Sequence, residues 1–340
     1  MTTDRPAKDQ TAPANVAADK ARMTRFLLRD AGVFLVLFVI TAVFALTAPY
    51  FATSANVLKI LVQVAINTVL AAGMTYVILT GGIDLSVGSV LALCTVVGAL
   101  IMTSGLDPAL SIPLAILGCI ATGSFCGYLN GKISTYWKVP SFIVTLGMLN
   151  VAAGAARVLA DNSTITGLPK GFVDFGNLII GGFLPSIFLV ALLVVLAGWF
   201  VLRYTVFGRM IYAVGTNEEA VRLSGHNPAS YQIAAFTICG LTAGVAAVVY
   251  LLRLNIGSPI AGVGYELNAI AAVIIGGTSL MGGKGSIIGT LAGASILQVL
   301  ATGLQLLGVG DNYKPIIIGG VIILAVVFDT YREKLLRRMN

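Results

Sequence analysis

Ten apolar stretches, each near the length a helix needs to cross a bilayer, divide this chain. A spanning helix takes about 20 mostly apolar residues. On that template the stretches run over residues 31–48, 56–79, 86–104, 110–131, 140–160, 181–202, 231–252, 266–281, 286–307 and 314–330. A soluble reading fails on charge. Soluble domains carry about 25% charged residues, whereas this chain of 340 residues has 10% against 57% hydrophobic, with a mean hydropathy of +0.95. The predicted fold class is an all-α polytopic membrane protein of about ten transmembrane helices. Three regions follow: a flexible polar tail over 1–29, a membrane domain over 30–331, and a basic C-terminus over 332–340.

The first stretch, Ala31 to Ala48, follows a tail too long for a cleavable leader and is itself of membrane length, so it reads as an uncleaved span. An even number of spans puts both termini on one side. On that threading sixteen of the 21 Lys and Arg fall on the terminal side, leaving Lys59, Arg157, Lys170, Arg253 and Lys314 on the other. The positive-inside rule then makes both termini cytoplasmic. Topology accounts for the net charge of +7, and a nucleic-acid partner is not needed. Cys94, Cys119, Cys126 and Cys239 all lie in apolar stretches and read as small buried hydrophobes. His226 is the chain's one histidine, too few for a metal cluster or a His-based catalytic pair.

The longest polar connection on the terminal side, 203–230, carries the signature of a short helix. Thr216 or Asn217 suits the N-cap, where a side-chain oxygen accepts an orphan N–H. Glu218 and Glu219 fall in the first turn, where the helix dipole favours anions, and Ala220 follows. Arg222 stands four residues after Glu218, a favourable pairing. Gly225 suits the left-handed residue past the helix end, and Pro228 prevents continuation. Two turns of helix are not stable alone in water. The segment therefore either packs on its own membrane domain or docks in a groove on another subunit, through Val221 and Leu223.

Two apolar regions are broken by glycine: Thr80-Gly-Gly-Ile-Asp-Leu-Ser-Val-Gly and Gly276-Gly-Thr-Ser-Leu-Met-Gly-Gly-Lys-Gly. Irregular backbone at membrane depth is tolerated only where protein buries it or water reaches it, and paired broken segments point to a transport pathway. Gly81, Gly82, Asp84, Ser86, Gly276 and Gly277 are therefore pathway or gating candidates, with Glu266 and Asn268 at the outer end of the eighth stretch. Asp84 equally suits a cap for the next helix, accepting N–H groups near Ser86 and Val87. Gly98, Gly123, Gly127 and Gly154 suit close helix packing. The stretch Thr278–Gly285 approaches a phosphate-binding loop but has Thr278 for its first glycine and Gly285 for its final Ser/Thr.

Three segments carry a resemblance: Leu79 to Ser89, Gly208-Arg-Met-Ile-Tyr-Ala with Glu218 to Gly225, and Gly264 to Gly285. Together, in order and spacing, they resemble the ribose-type permease subunits of bacterial ABC sugar importers, within the branched-chain amino acid/ribose permease family. The resemblance implies a coupling helix, Asn217 to Gly225, seated on an ATP-binding subunit. It implies a periplasmic sugar-binding protein, a second permease chain, and no cofactor in this chain, with ATP and Mg on the partner ATPase. A branched-chain amino acid ABC permease and an ion-coupled secondary transporter are the alternatives. An intramembrane enzyme would need a buried catalytic pair that the sequence does not offer.

Overall fold

The computed structural model describes residues 32–310, 312–321, 323–324 and 327. The tail 1–29, the C-terminus 332–340 and the end of the tenth stretch lie outside them. The helices are α1 (Gly32–Thr47), α2 (Ser54–Leu79), α3 (Val87–Met102), α4 (Pro108–Tyr136), α5 (Ser141–Leu159), α6 (Lys170–Gly176), α7 (Ser186–Tyr204), α8 (Val206–Thr216), α9 (Glu218–Leu223), α10 (Pro228–Leu254), α11 (Tyr265–Ile275) and α12 (Ile287–Leu306). A further helical stretch covers 314–321. Strands β1 (Ile179–Ile180) and β2 (Leu184–Pro185) pair antiparallel, with Ile179 opposite Pro185.

Among the described residues six helices, α2, α4, α5, α7, α10 and α12, are long and apolar enough to cross a membrane, and α1, α3 and α11 are shorter apolar helices. All nine lie on stretches read from the sequence. The chain is a multi-pass membrane protein. With 11 residues, α11 rises only about 16 Å, roughly half a bilayer core. The connection between α5 and α7 holds α6 and the β1–β2 hairpin, and its Ile165 bridges to Gly257 just past α10.

The long helices start where their sequences require. Asp107 and Asn227 accept the N–H of Ala109 and Ala229 at 2.8 and 3.1 Å, each just before a proline in the first turn. α10 is largely buried at the centre, beside α2 and α4. Gly123 and Gly127 of α4 meet Gly240 and Phe236 of α10 so closely that a methyl group on any of the three glycines would strike opposing backbone. Gly98 lies against Cys119 and Leu251, while the open side of Gly154 meets no other residue, so its predicted packing role is not met within the chain. All four cysteines are buried and unpaired, as their apolar surroundings implied. Large apolar side chains such as Leu35, Phe38, Leu46, Val151, Val158 and Leu193 point outward, which suits a bilayer and not water.

Replacing Gly240 with Val should force α4 and α10 apart. Overpacking of this kind costs about 1–3 kcal/mol, so the detergent-solubilised variant should melt several degrees lower. Gly154→Val should melt nearer the parent, because no described residue of the same copy stands in its way.

Candidate functional site

The local chemistry of α9 follows its sequence closely. Asn217 is extended (φ −160, ψ 97) and its Oδ1 accepts the Ala220 N–H at 3.0 Å. Thr216, the alternative cap, instead donates its hydroxyl to the Tyr212 carbonyl in α8. At the other end the N–H of Gly225 bonds to Arg222 and that of His226 to Val221, a Schellman closure with Gly225 at φ +85. The ion pair differs from the predicted one. Arg222 donates Nε and Nη2 to both oxygens of Glu219, at 2.8 and 2.5 Å, and not to Glu218. Residues three apart share a face in so short a helix, and the planar guanidinium matches a carboxylate with two bonds.

Those hydrogen bonds hold Glu219 below the usual carboxylate range, with the charge of Arg222 assisting. The interaction is therefore present at neutral pH and is lost only as pH falls through that lowered value. Both side chains face water, so it orients α9 more than it stabilises it. Of the two apolar residues expected to dock, Val221 is buried in its own chain, whereas Leu223 is 77% exposed. One side chain of α9 is thus anchored in its own chain, and the rest of its surface is free.

The two glycine-broken loops follow one plan at their start. Thr80 ends α2, Gly81 takes a left-handed φ of +81, and the N–H groups of Gly81 and Gly82 return to Ile78 and Val77. Gly276 ends α11, Gly277 takes φ +85, and the N–H groups of Gly277 and Thr278 return to Ile274 and Val273. Each Gly-Gly is thus part of a Schellman cap, shifted by one residue between the two loops. Gly276 also packs backbone to backbone on Gly289 of α12.

Beyond the first cap the chain is pinned from two sides. The N–H groups of Ile83 and Leu85 bond to Ser141 and Thr145 of α5, at 3.2 and 3.1 Å. Asp84 is buried and accepts from the Ser86 N–H at 2.8 Å and the Ser86 hydroxyl at 2.6 Å. Asn130 of α4 donates to Asp84 Oδ2 at 3.4 Å and to Ser86 Oγ at 2.9 Å. The capping geometry read for Asp84 is present at Ser86; no bond to Val87 accompanies it.

Glu266 differs from expectation in depth. After α10 the chain turns back along α3: Gly257 lies on Ala99, Ser258 bonds to Thr95, and Gly262 reaches Gly88. α11 therefore starts beside the first turn of α3 and not at the outer end of the bundle. Glu266 Oε1 accepts the Gly264 N–H at 3.2 Å and its Oε2 lies against Gly88, while Asn268 is exposed.

The sequence did not signal the seam that joins these parts. The N–H of Gly283, in the second loop, bonds to the carbonyl of Leu79, the last residue of α2, at 2.9 Å. Gly215, two residues before the cap of α9, lies on the same carbonyl and on Gly283, so closely that a methyl group would collide with both. Tyr212 of α8 donates its hydroxyl to the Gly285 carbonyl at 2.9 Å. The start of the first loop, the middle of the second and the root of α9 thus meet at one place. Gly215 was legible only as a glycine near a helix end, and a contact spanning some 200 positions leaves no local pattern.

Apolar spanning helices, two internally capped breaks and a short exposed helix define a membrane transport subunit. Residues 56–326 match the family described as branched-chain amino acid transport system / permease component, and the chain belongs to that family. It is 42% identical over 313 residues to the ribose import permease protein of Escherichia coli (strain K12), covering 91% of this chain and 96% of the relative. It is 43% identical over 306 residues to the ribose import permease protein of Bacillus subtilis (strain 168), covering 89% and 93%. A D-allose transport system permease protein of Escherichia coli (strain K12) is 38% identical over 305 residues, covering 89% and 92%. No solved structure matches. The chain is thus a transport subunit and not an enzyme, of the ribose-type branch that its motifs resemble.

Removing the Asn217 cap should loosen α9 alone. Asn217→Ala costs a helix about 1 kcal/mol, so amide exchange over 220–225 should quicken about fivefold, with α8 and α10 unchanged by hydrogen–deuterium exchange.

Proposed function

We propose that this chain is the membrane-spanning permease of an ABC importer for a monosaccharide, either ribose or a related sugar or polyol. A periplasmic sugar-binding protein delivers the substrate, a separate ATP-binding subunit drives the cycle with ATP and Mg, and two copies of the chain flank the path. The sugar class rests on the relatives, named for ribose and allose at 38–43% identity, which favours it over the amino-acid reading of the family description. The charge asymmetry of the loops supports ten crossings in the inner membrane, with both termini and α9 in the cytoplasm.

The observation that carries the reading is α9: capped at both ends, anchored by Val221 alone among its buried residues, and otherwise presenting Glu218, Glu219, Arg222 and Leu223 outward. A helix in a groove takes one apolar anchor with charges that set its orientation. Force applied there passes through Asn217 to Gly215, and from Gly215 to the ends of α2 and the second glycine loop. We assign Asp84, Ser86 and Glu266 to holding the broken segments in register for gating, with Gly81, Gly82, Gly276 and Gly277 supplying the caps.

Reconstitution in vesicles with the ATP-binding subunit and the binding protein should give ribose uptake that depends on ATP. Uptake by the chain alone under a proton or sodium gradient would sink the proposal. Leu223→Asp should abolish co-purification of the ATPase. Gly215→Ser should leave assembly and ATP hydrolysis in place while transport falls at least about tenfold, since a 1 Å misplacement in a working site costs on the order of a hundredfold. An unchanged transport rate would refute the role of the seam.

A further inference from the structure

At the end of the bundle far from α9 there is a cleft of about 310 Å³ whose lining includes two cations, Lys59 and Arg253. Their position follows from helix lengths. Arg253 lies 25 residues along α10 from its start next to α9, a rise of about 37 Å. Lys59 lies 20 residues from the Leu79 seam along α2, a rise of about 30 Å. Both charges therefore sit at the depth of one headgroup layer, on the face opposite α9.

The cleft is bordered by the end of α6, the hairpin and the start of α7. Gly176 and Asn177 end α6, whose last residue packs on the Leu252 carbonyl, and Leu178, Ile179, Pro185 and Ile187 complete the wall. Leu58 and Val62 of α2 add apolar surface beside Lys59, and Gln63 also lines the cleft. The Gln63 oxygen is already taken by Gln298 at 2.6 Å. The lining contains no acidic side chain and no aromatic ring, and neither cation makes a salt bridge among the described residues.

We propose that this cleft binds the phosphate headgroup of an anionic membrane lipid from the leaflet opposite α9, with Lys59 and Arg253 meeting the phosphate and the aliphatic wall meeting the first part of the lipid tail. Two cations with no salt bridge among the described residues, beside apolar side chains at headgroup depth, match the two halves of a phospholipid. A neutral sugar would look for acidic acceptors and an aromatic face, which the cleft lacks. A protein carboxylate would fill only a small part of the volume and leave the aliphatic wall bare. The lipid would tie α2 to α10 at the end away from the seam, which gives the helices a fixed outer point against which inner-end movement acts.

The purified full chain, washed to remove loosely held lipid, is titrated with phosphatidylglycerol or phosphatidylcholine and read by native mass spectrometry. A parallel arm adds inorganic phosphate at millimolar concentration. Phosphatidylglycerol should be retained about tenfold more than phosphatidylcholine, in keeping with two cations at a membrane surface. The preference should fall to near parity in Lys59→Gln/Arg253→Gln, and phosphate alone should not displace the lipid. Equal retention of both lipids, or an unchanged preference in the double variant, overturns the proposal. So does displacement by millimolar phosphate, which would make this a free-anion site. Loss of binding-protein capture with lipid retention intact would assign the cations to an acidic protein partner and equally overturn it. Should the double variant fold poorly, photoactivatable phosphatidylglycerol on the parent chain decides: labelling must fall on peptides spanning 58–63 and 176–187, and labelling elsewhere refutes the site.

Discussion

The carbonyl of Leu79 fixes how the two halves of the molecule join. In hydrocarbon an unsatisfied backbone group costs several kcal/mol, so a helix that ends within a bundle must find partners for its last carbonyls. α2 does this almost by itself. Tyr76, Val77 and Ile78 are taken up by Thr80, Gly82 and Gly81 of the first loop. Leu79 is left over, and the N–H that satisfies it comes from Gly283 in the second loop. One broken segment therefore completes the other. Gly215 lies across this bond, which places the root of α9 on the same spot. A shift of α8 cannot leave α2 and the second loop where they are, because there is no space at the seam to absorb it.

The first loop solves the same solvation problem with side chains. Ser141 and Thr145 accept two of its N–H groups, and Asp84 accepts a third at Ser86. Asn130 adds its amide to Asp84 and Ser86, leaving its own oxygen buried without a partner. No cation neutralises Asp84 among the described residues. A carboxylate held only by neutral donors keeps the loop polar and exact in geometry without the strong pull of an ion pair. The loop is held by α4 and α5 together, so relative movement of those two helices must deform it.

What could be read in advance was what is local. The apolar stretches correspond to helices, the tenth over its described part, because length and hydropathy act within each segment, and the cap residues Asn217 and Gly225 act within one turn. The choice of Glu219 over Glu218 as partner of Arg222 escaped, because both spacings are allowed and the outcome depends on rotamers in a six-residue helix. The depth of Glu266 escaped for a different reason. An 11-residue α11 and the start of the second glycine loop together fill the stretch 266–281, and hydropathy does not distinguish them from a continuous span. Val221 and Leu223 looked alike in sequence, and only the position of α9 against its own chain separates the anchor from the exposed side chain.

The proposed pairing of two copies also answers a solvation problem, this time in α5. α5 is long and apolar but is the least buried of the six spanning helices. Much of its exposed face is ordinary for lipid: Phe142, Ile143, Leu146 and Val151. Asn150 lies halfway along it, exposed, with its amide donated only to its own backbone at Leu146. Gly147 and Gly154, one turn either side, meet no other residue. An amide at mid-membrane facing lipid is unfavourable, and polar groups at that depth face a bundle interior or a water-filled cavity. A second chain or a water-filled path beside α5 removes the difficulty, and glycines flanking the amide leave room for either. The helix least explained by one copy is therefore the one whose surface best fits an arrangement of two.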